Sequence, residues 1–257
     1  MSAVARTLLR EVTHDERLKV ASQICGLILE KYQDAVLTVC VSGSTAKKLD
    51  RPYSDLEILC VVRDGLDMPK KKYYLQNGLL VDIDYPQESN FLKAAREIGW
   101  DWPLQADQYR NRIVLFEREG WLRKLDQAVA QNDKTDLAEP LRIAALAMTE
   151  SLAAVYNAHL KADLLDLRTR AFYFAWDTAR VICLLNRRYV LTTSWVWKQA
   201  LECPVKPDDF TELVQKLVGT KASGADELLQ AAEKLYRETL EIVRSREIAI
   251  ETENLSV

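Results

Sequence analysis

Hydrophobic periodicity changes once along this 257-residue chain, and that change constrains the fold more than any other feature. Before residue 131, β-branched and apolar runs at 36–41, 56–62 and 79–84 have strand length and are bounded by Gly, Pro, Asp or Asn. Between and around them, 15–32, 88–98 and 120–130 carry helical spacing, and one further strand is expected at 112–116. After the polar stretch Gln131-Asn132-Asp133-Lys134-Thr135-Asp136 no strand pattern recurs: 141–160, 163–188, 194–201, 208–218 and 224–246 all read as helices. Thr13 with Glu16 makes a capping-box entry to the first helix, and Asp136 with Glu139 caps the helix after the linker. The expectation is an α+β chain, with a mixed-sheet α/β domain over 1–131 and a helical bundle over 132–257.

Composition excludes more than it selects. Thirty-five Lys and Arg against 38 Asp and Glu give a net charge of −3, and 48% of residues are hydrophobic. That excludes disordered and low-complexity classes. With no basic tail or stripe, neither nucleic acid nor an anionic membrane is an expected partner. Cys25, Cys40, Cys60, Cys183 and Cys203 are scattered through apolar runs without a CxxC pair, so they read as reduced core residues. His14 and His159 do not stand at ligand spacing from any of them, which argues against zinc. No apolar stretch approaches eighteen residues and no signal segment is evident, so a cytoplasmic protein is expected.

The chemistry concentrates in residues 41–57. Gly43-Ser44 follows a strand and precedes a short helical stretch, a geometry in which backbone N–H groups and the Ser44 hydroxyl face one concavity suited to phosphate oxygens. The same pair also suits an ordinary strand-to-helix turn. Asp55 and Glu57 stand at i and i+2 at the start of a strand and so project from one face. Such a pair is either a solvated edge feature or a cation site, and magnesium uses one or two carboxylates plus substrate phosphates. Leu79-Leu80-Val81-Asp82-Ile83-Asp84 places Asp82 and Asp84 on one face of another strand, and Asp82 becomes a third acid if the two strands are neighbours.

Gly43-Ser44, ten intervening residues, Asp55-Leu56-Glu57 and then Asp82 resemble the signature of the DNA polymerase β-type nucleotidyltransferase superfamily. With Pro52-Tyr53-Ser54 before the acids, Asp101-Trp102-Pro103-Leu104 and Thr192-Thr193-Ser194, the chain is similar over most of its length to the kanamycin nucleotidyltransferase family. The resemblance implies a nucleotidyltransferase domain followed by a helical domain. It implies transfer of a nucleoside monophosphate from a magnesium-bound triphosphate, with ATP as donor, to the 4′-hydroxyl of an aminoglycoside, by a homodimer with active sites at the subunit interface. Residue by residue, it makes Ser44 a phosphate contact, Asp55 and Glu57 the metal ligands, Asp82 an acid near metal and substrate, and Glu150 the general base; Gly43, Lys47 and Ser54 are further expected nucleotide contacts, and Asp101 joins Asp82 as an expected acceptor contact.

The helix at 141–160 leads to Glu150 independently, because Leu146, Ala147, Ala153 and Ala154 lie one turn away and apolar surroundings raise a carboxyl pKa towards neutrality. On sequence alone a water-facing glutamate fits equally well. The chain departs from the family at Ala154, where a phosphate-holding lysine is expected, and Lys47, Lys161 and Arg168 are the alternatives. It departs again at Leu80, where the family has lysine, and at Tyr73 or Tyr74, where it has glutamate. A cationic acceptor calls for acids such as Asp82, Asp84, Glu88 and Asp101, with Tyr85, Trp100 and Trp102 as sugar-stacking faces; the Trp100–Pro103 run fits a buried corner as well. Phe172-Tyr173-Phe174-Ala175-Trp176 reads as bundle core or dimer contact, and Lys70-Lys71-Lys72 as a solvated loop leading into a strand. The alternative function is a nucleotide-binding regulator, or a transferase acting on a different small-molecule, protein or RNA acceptor.

Overall fold

The computed structural model describes residues 8–251. In chain order the elements are α1 (His14–Tyr32), a 3₁₀ turn (Gln33–Ala35), β1 (Val36–Val41), α2 (Gly43–Ala46), β2 (Leu56–Val62), β3 (Lys71–Gln76), β4 (Leu79–Asp84) and α3 (Glu88–Arg96). There follow α4 (Trp102–Gln105), α5 (Asp107–Arg110), β5 (Ile113–Glu117), α6 (Trp121–Asn132), α7 (Ala138–Leu160) and α8 (Leu164–Leu185). A 3₁₀ turn (Thr193–Trp195), α9 (Val196–Leu201), α10 (Phe210–Leu217) and α11 (Ala225–Arg244) complete the chain. An α+β protein with a mixed sheet in its first half and helices in its second is therefore what the sequence forms.

Two compact units are present. One holds the described residues up to Glu97 together with Ala106–Thr135; the other holds Ile98–Gln105 and the described residues from Asp136. In the first unit the sheet order is β3-β4-β2-β1-β5. β2 and β4 run parallel, and every other pairing is antiparallel. Side-chain alternation along β2 sends Leu56, Ile58, Cys60 and Val62 into a core with Ile24, Cys25 and Ile28 of α1. Leu59 and Val61 pack instead with Phe91, Leu92 and Ala95 of α3 and Trp121 and Leu125 of α6. The sheet is thus covered on both faces at β1 and β2, which is why these strands read as apolar runs interrupted only at Thr38 and Glu57. Glu57 shares the parity of Leu59 and Val61.

The lysine run leads into a strand as expected, but Lys71 and Lys72 already belong to that strand, β3, rather than to the loop before it. Lys71, Tyr73, Tyr74, Leu75 and Gln76 are exposed on this edge, so no apolar alternation marks it. Asn77-Gly78 joins β3 to β4 with φ of 48° and 78°, the double left-handed geometry of a two-residue hairpin turn.

In the helical unit α7, α8 and α11 pack on one another. Asp163 caps α8, accepting from the N–H groups of Leu165 and Asp166 at 3.0 Å each. Asp136 accepts from Ala138 N–H at the start of α7, but Glu139 pairs with Arg142 rather than completing a cap. The Trp100–Pro103 run belongs to this unit as a corner: Trp102 is buried against Tyr189, and Val190 N–H donates to the Pro103 carbonyl at 2.7 Å. Phe174 and Ala175 are core, whereas Phe172 and Tyr173 remain exposed. All five cysteines are free and buried, and among the described residues no helix is long and apolar enough to cross a membrane.

Candidate active site

The acid-bearing end of the sheet is assembled from three short-range features and one pairing. β1 ends at Val41, and the chain turns through Ser42 into the single-turn helix α2. Gly43 opens that turn with φ of 60°, a conformation that disfavours any side chain. Its second requirement is spatial. A Cβ on Gly43 would overlap the Glu57 Oε2 atom outright and come within 3.3 Å of Glu57 Cγ. The backbone at Gly43 and the carboxylate of Glu57 are therefore in contact, and Ser42 N–H reinforces the approach by donating to the Glu57 carbonyl at 3.0 Å.

Asp55 stands two residues before Glu57, and Asp82 is the direct register partner of Glu57 across the parallel β2–β4 pair. Paired residues in adjacent strands present their side chains to one face, so the acids predicted to converge do lie together. Burial, and next the negative charge of Asp55, push the Glu57 carboxyl above the usual glutamate range; Lys47 opposes this, while Asp82 and Asp107 add to it. One oxygen of Asp82, Oδ1, is buried without a hydrogen-bond partner.

This donor set fits a hard divalent cation of the magnesium type. A buried, orphaned carboxylate oxygen and a carboxyl destabilised by its neighbour are both relieved by a cation. Among the described residues no three His, Cys, Asp or Glu side chains close into a complete metal-holding group. Asp55 and Glu57 are the pair that could contribute oxygens to a partial ligand set. Magnesium characteristically completes such a set with water and phosphate.

Two basic residues organise the acids. Lys47, expected as a phosphate contact, has its ammonium on the Asp107 carboxylate, and both side chains are at least 90% buried. Asp107 in turn accepts from Asn111 Nδ2 at 2.7 Å. Nothing in the sequence signals this pair, whose members are sixty residues apart. Lys71 of β3 donates to Asp82 Oδ2 at 2.6 Å and lies 3.7 Å from Asp84 Oδ1. The hydrogen bond to Asp82 raises the Lys71 pKa. Asn77-Gly78 was the signal that could have found it, since a two-residue turn there pairs 71–76 with 79–84.

Other expected site residues have different surroundings. The Ser54 hydroxyl accepts from Arg51 N–H at 2.9 Å, inside the loop that precedes Asp55. Ser44 lies in the first turn of α2, its carbonyl accepting from the Lys47 and Leu49 N–H groups. Glu88 is engaged by Trp121 Nε1 and Lys124, and Tyr85 is buried against Tyr32, so neither is an acceptor face. In the helical unit, Asp101 accepts from Gln105, and Trp100 stacks under the Arg180 guanidinium at 4.1 Å.

Glu150 requires a correction. Its carboxylate was expected in apolar surroundings, but the residue is exposed. α7 buries Leu141, Ala144, Ala145, Met148, Leu152 and Val155, and Glu150 lies on the opposite stripe with Ile143 and Leu146, exposed at 38% and 40%. Periodicity showed apolar neighbours one turn away, yet Leu146 and Ala153 are exposed and Ala147 and Ala154 only half-buried. Of the two alternatives for the Ala154 position in this unit, Lys161 is exposed and Arg168 donates to the Ser223 carbonyl at 3.0 Å.

One family profile and several known proteins are similar to this chain. The sequence profile of the KNTase C-terminal domain matches residues 119–249. Two curated relatives, each named aminoglycoside nucleotidyltransferase (4′), from Staphylococcus aureus and a Bacillus species, are 25% identical over 230 residues, spanning 88% of this chain and 89% of each relative. The crystal structure of a nucleotidyltransferase-like protein from Exiguobacterium sibiricum superposes with a TM-score of 0.51 at 16% identity, covering 88% of this chain and 75% of that one, a likeness of fold.

Proposed function

The chain belongs to the KNTase family, and on that premise we propose that it is an aminoglycoside nucleotidyltransferase, transferring AMP from magnesium-bound ATP to the 4′-hydroxyl of the antibiotic with release of pyrophosphate. The observation that carries this reading is the contact between Gly43 and the Glu57 carboxylate, with Asp55 and Asp82 on the same face. It joins a phosphate-binding turn to a cation-binding pair within one short stretch of chain. The names of the two curated relatives support the acceptor class and the 4′ position. The reading includes a resistance role.

Asp55 and Glu57 would hold the magnesium ion, whose chemistry there is to neutralise the triphosphate. Gly43 brings backbone close to the phosphates because it carries no side chain, and the Ser44 hydroxyl donates to a phosphate oxygen. Asp82 and Asp101 receive ammonium groups of the acceptor. Glu150 takes the proton of the attacking hydroxyl, and pyrophosphate leaves in line. Glu150 is exposed in the single chain, and this reading includes a homodimer in which the face of Ile143, Leu146 and Glu150 is covered. No covalent enzyme intermediate is involved, so configuration at phosphorus inverts.

Incubation with magnesium, ATP and kanamycin or tobramycin is expected to give an adenylylated antibiotic and stoichiometric pyrophosphate. Absence of transfer across an aminoglycoside panel refutes the acceptor class, and transfer to a lincosamide instead would replace it. Glu150→Gln is expected to bind nucleotide normally and lose roughly 10²–10⁴-fold in kcat, the range for a general base; a near-normal kcat means another residue is the base.

A further inference from the structure

The loop that delivers Asp55 is held from beneath by one buried guanidinium. Arg17, on the first turn of α1, is 1% exposed and is among the largest fully buried side chains described. Its Nη1 donates to Asp50 Oδ2 at 2.8 Å. Nη2 donates to the carbonyls of Arg51 and Pro52 at 2.6 and 2.9 Å, and Nε donates to the Ser54 carbonyl at 3.1 Å. A single planar group thus contacts four of the five residues between Asp50 and Ser54. The last of these contacts is on the peptide that leads directly into Asp55.

Three carbonyl oxygens and a carboxylate converging on one point repel each other and hold only around a cation. The loop carries its own supports as well: Ser54 N–H donates to the Arg51 carbonyl, Arg51 N–H to Ser54 Oγ, and Val12 N–H to the Pro52 carbonyl, all at 2.8–2.9 Å. His14 Nδ1 lies 2.9 Å from Asp50 Oδ1, so both oxygens of the counter-ion are engaged. A buried ion pair of this kind is poor value as a stabiliser, since apolar residues of similar volume usually serve as well. What an apolar residue cannot do is fix the direction of the Arg51, Pro52 and Ser54 carbonyls.

We propose that Arg17 is a positioning residue of the metal-nucleotide site, setting the backbone at Ser54-Asp55 and through it the aim of the Asp55 carboxylate beside Glu57. This rests on the assignment of Asp55 and Glu57 as the metal ligands. Arg17 touches neither metal nor substrate; it acts as outer partners of ligating groups do, by fixing where a ligand points.

The test is direct Mn²⁺ binding to the full chain, followed by electron paramagnetic resonance with and without a non-hydrolysable ATP analogue, alongside thermal melting and steady-state kinetics. Arg17→Lys keeps the charge and the aliphatic stem but loses the fork. It is expected to raise the Mn²⁺ dissociation constant about 10- to 100-fold, the range for an outer-shell partner, and to raise the Mg²⁺ activation constant in parallel. kcat returns at saturating metal while the acceptor KM stays unchanged. Asp50→Asn retains the guanidinium and its three carbonyl bonds, and is expected to shift the same constants in the same direction by less, which keeps the idea testable if the lysine variant does not fold. Weaker thermal stability with an unchanged metal constant in either folded variant makes Arg17 purely structural and overturns the proposal. A wild-type chain that binds no Mn²⁺ overturns the metal assignment itself, an outcome distinct from the first.

Discussion

Gly43→Ala separates the fold from the chemistry at one atom. Two costs attach to the added methyl. The first is conformational: φ at residue 43 is 60°, and an L-residue there costs about 1–2 kcal/mol. The second is steric, and it falls on the end of a flexible side chain rather than on backbone, because the overlapping atom is Glu57 Oε2. Glu57 can swing away by changing its rotamers, so the fold absorbs the clash without repacking the core beneath. Stability is therefore expected to fall by about 1–2 kcal/mol, a drop of roughly 2–8 °C in Tm. On the proposed assignment the metal site absorbs nothing, because the displaced group is then one of its two protein ligands. If that ligand is worth about 3–4 kcal/mol to the transition state, as is typical of a single electrostatic contact in an active site, kcat/KM falls about 10²–10³-fold. Titration calorimetry of the magnesium-nucleotide complex, a continuous pyrophosphate-release assay and a thermal melt measure the three quantities separately. The alanine variant is expected to resemble Glu57→Gln in metal affinity while remaining folded. Wild-type magnesium affinity and turnover in a folded Gly43→Ala protein would show that Glu57 does not ligate from the position it holds beside Gly43, and the site would have to be rebuilt on other acids.

Glu57 also gives the metal-free protein a pH signature. Its folded pKa is raised above the usual 4.5, so the folded state holds this proton more tightly than the unfolded chain. The stability it contributes is full below about 4.5 and is lost as pH rises through the raised value. Thermal melts across that window are expected to show this loss in the wild type, to flatten in Glu57→Gln, and to show a magnesium-induced gain in Tm that grows with pH; a gain independent of pH contradicts the assignment. Lys71 is half-exposed, so Lys71→Met is expected to leave Tm nearly unchanged while freeing Asp82 Oδ2. The KM for a cationic acceptor then falls by up to about fivefold, the equivalent of an exposed ion pair of about 1 kcal/mol, and a rise in KM would mean that Lys71 itself binds substrate.

What could be read from the sequence follows the range of the interaction that decides each feature. β1 and β2 were legible because both faces of the sheet are covered there, which writes the burial into nearly consecutive residues, and β4 was legible from its alternation, with Leu79, Val81 and Ile83 buried and Asp82 and Asp84 on the other face. β3 was legible only as a strand of unstated extent after the lysine run, because an exposed edge strand needs no apolar pattern; its far end is marked by the Asn77-Gly78 turn, a two-residue signal between six polar or exposed positions and β4. Asp55, Glu57 and Asp82 were legible because i and i+2 spacing fixes a common face, and only the adjacency of β2 and β4 had to be supplied by the fold. Glu150 was legible as a residue but not as an environment. α7 carries apolar side chains on two faces, and periodicity cannot say which of them is covered.

The charged side chains divide in the same way, and here the consequence is chemical. A lysine three residues after a Gly-Ser turn reads as a phosphate contact, because local spacing is all the sequence offers. In the fold the Lys47 ammonium is buried on Asp107, and Arg17 is buried on a loop more than thirty residues away. Both partners come from long-range packing. Each places a fixed positive charge under the acid-bearing turn, where it cannot move to meet a ligand but can shape the field and geometry that the acids experience. Lys47 already does so for Glu57, opposing the rise that burial and Asp55 impose on its carboxyl. A cation locked in this way lowers the cost of holding the Glu57 carboxylate beside Asp55 and Asp82. The acids that a sequence can reveal are thus held ready by bases that it cannot.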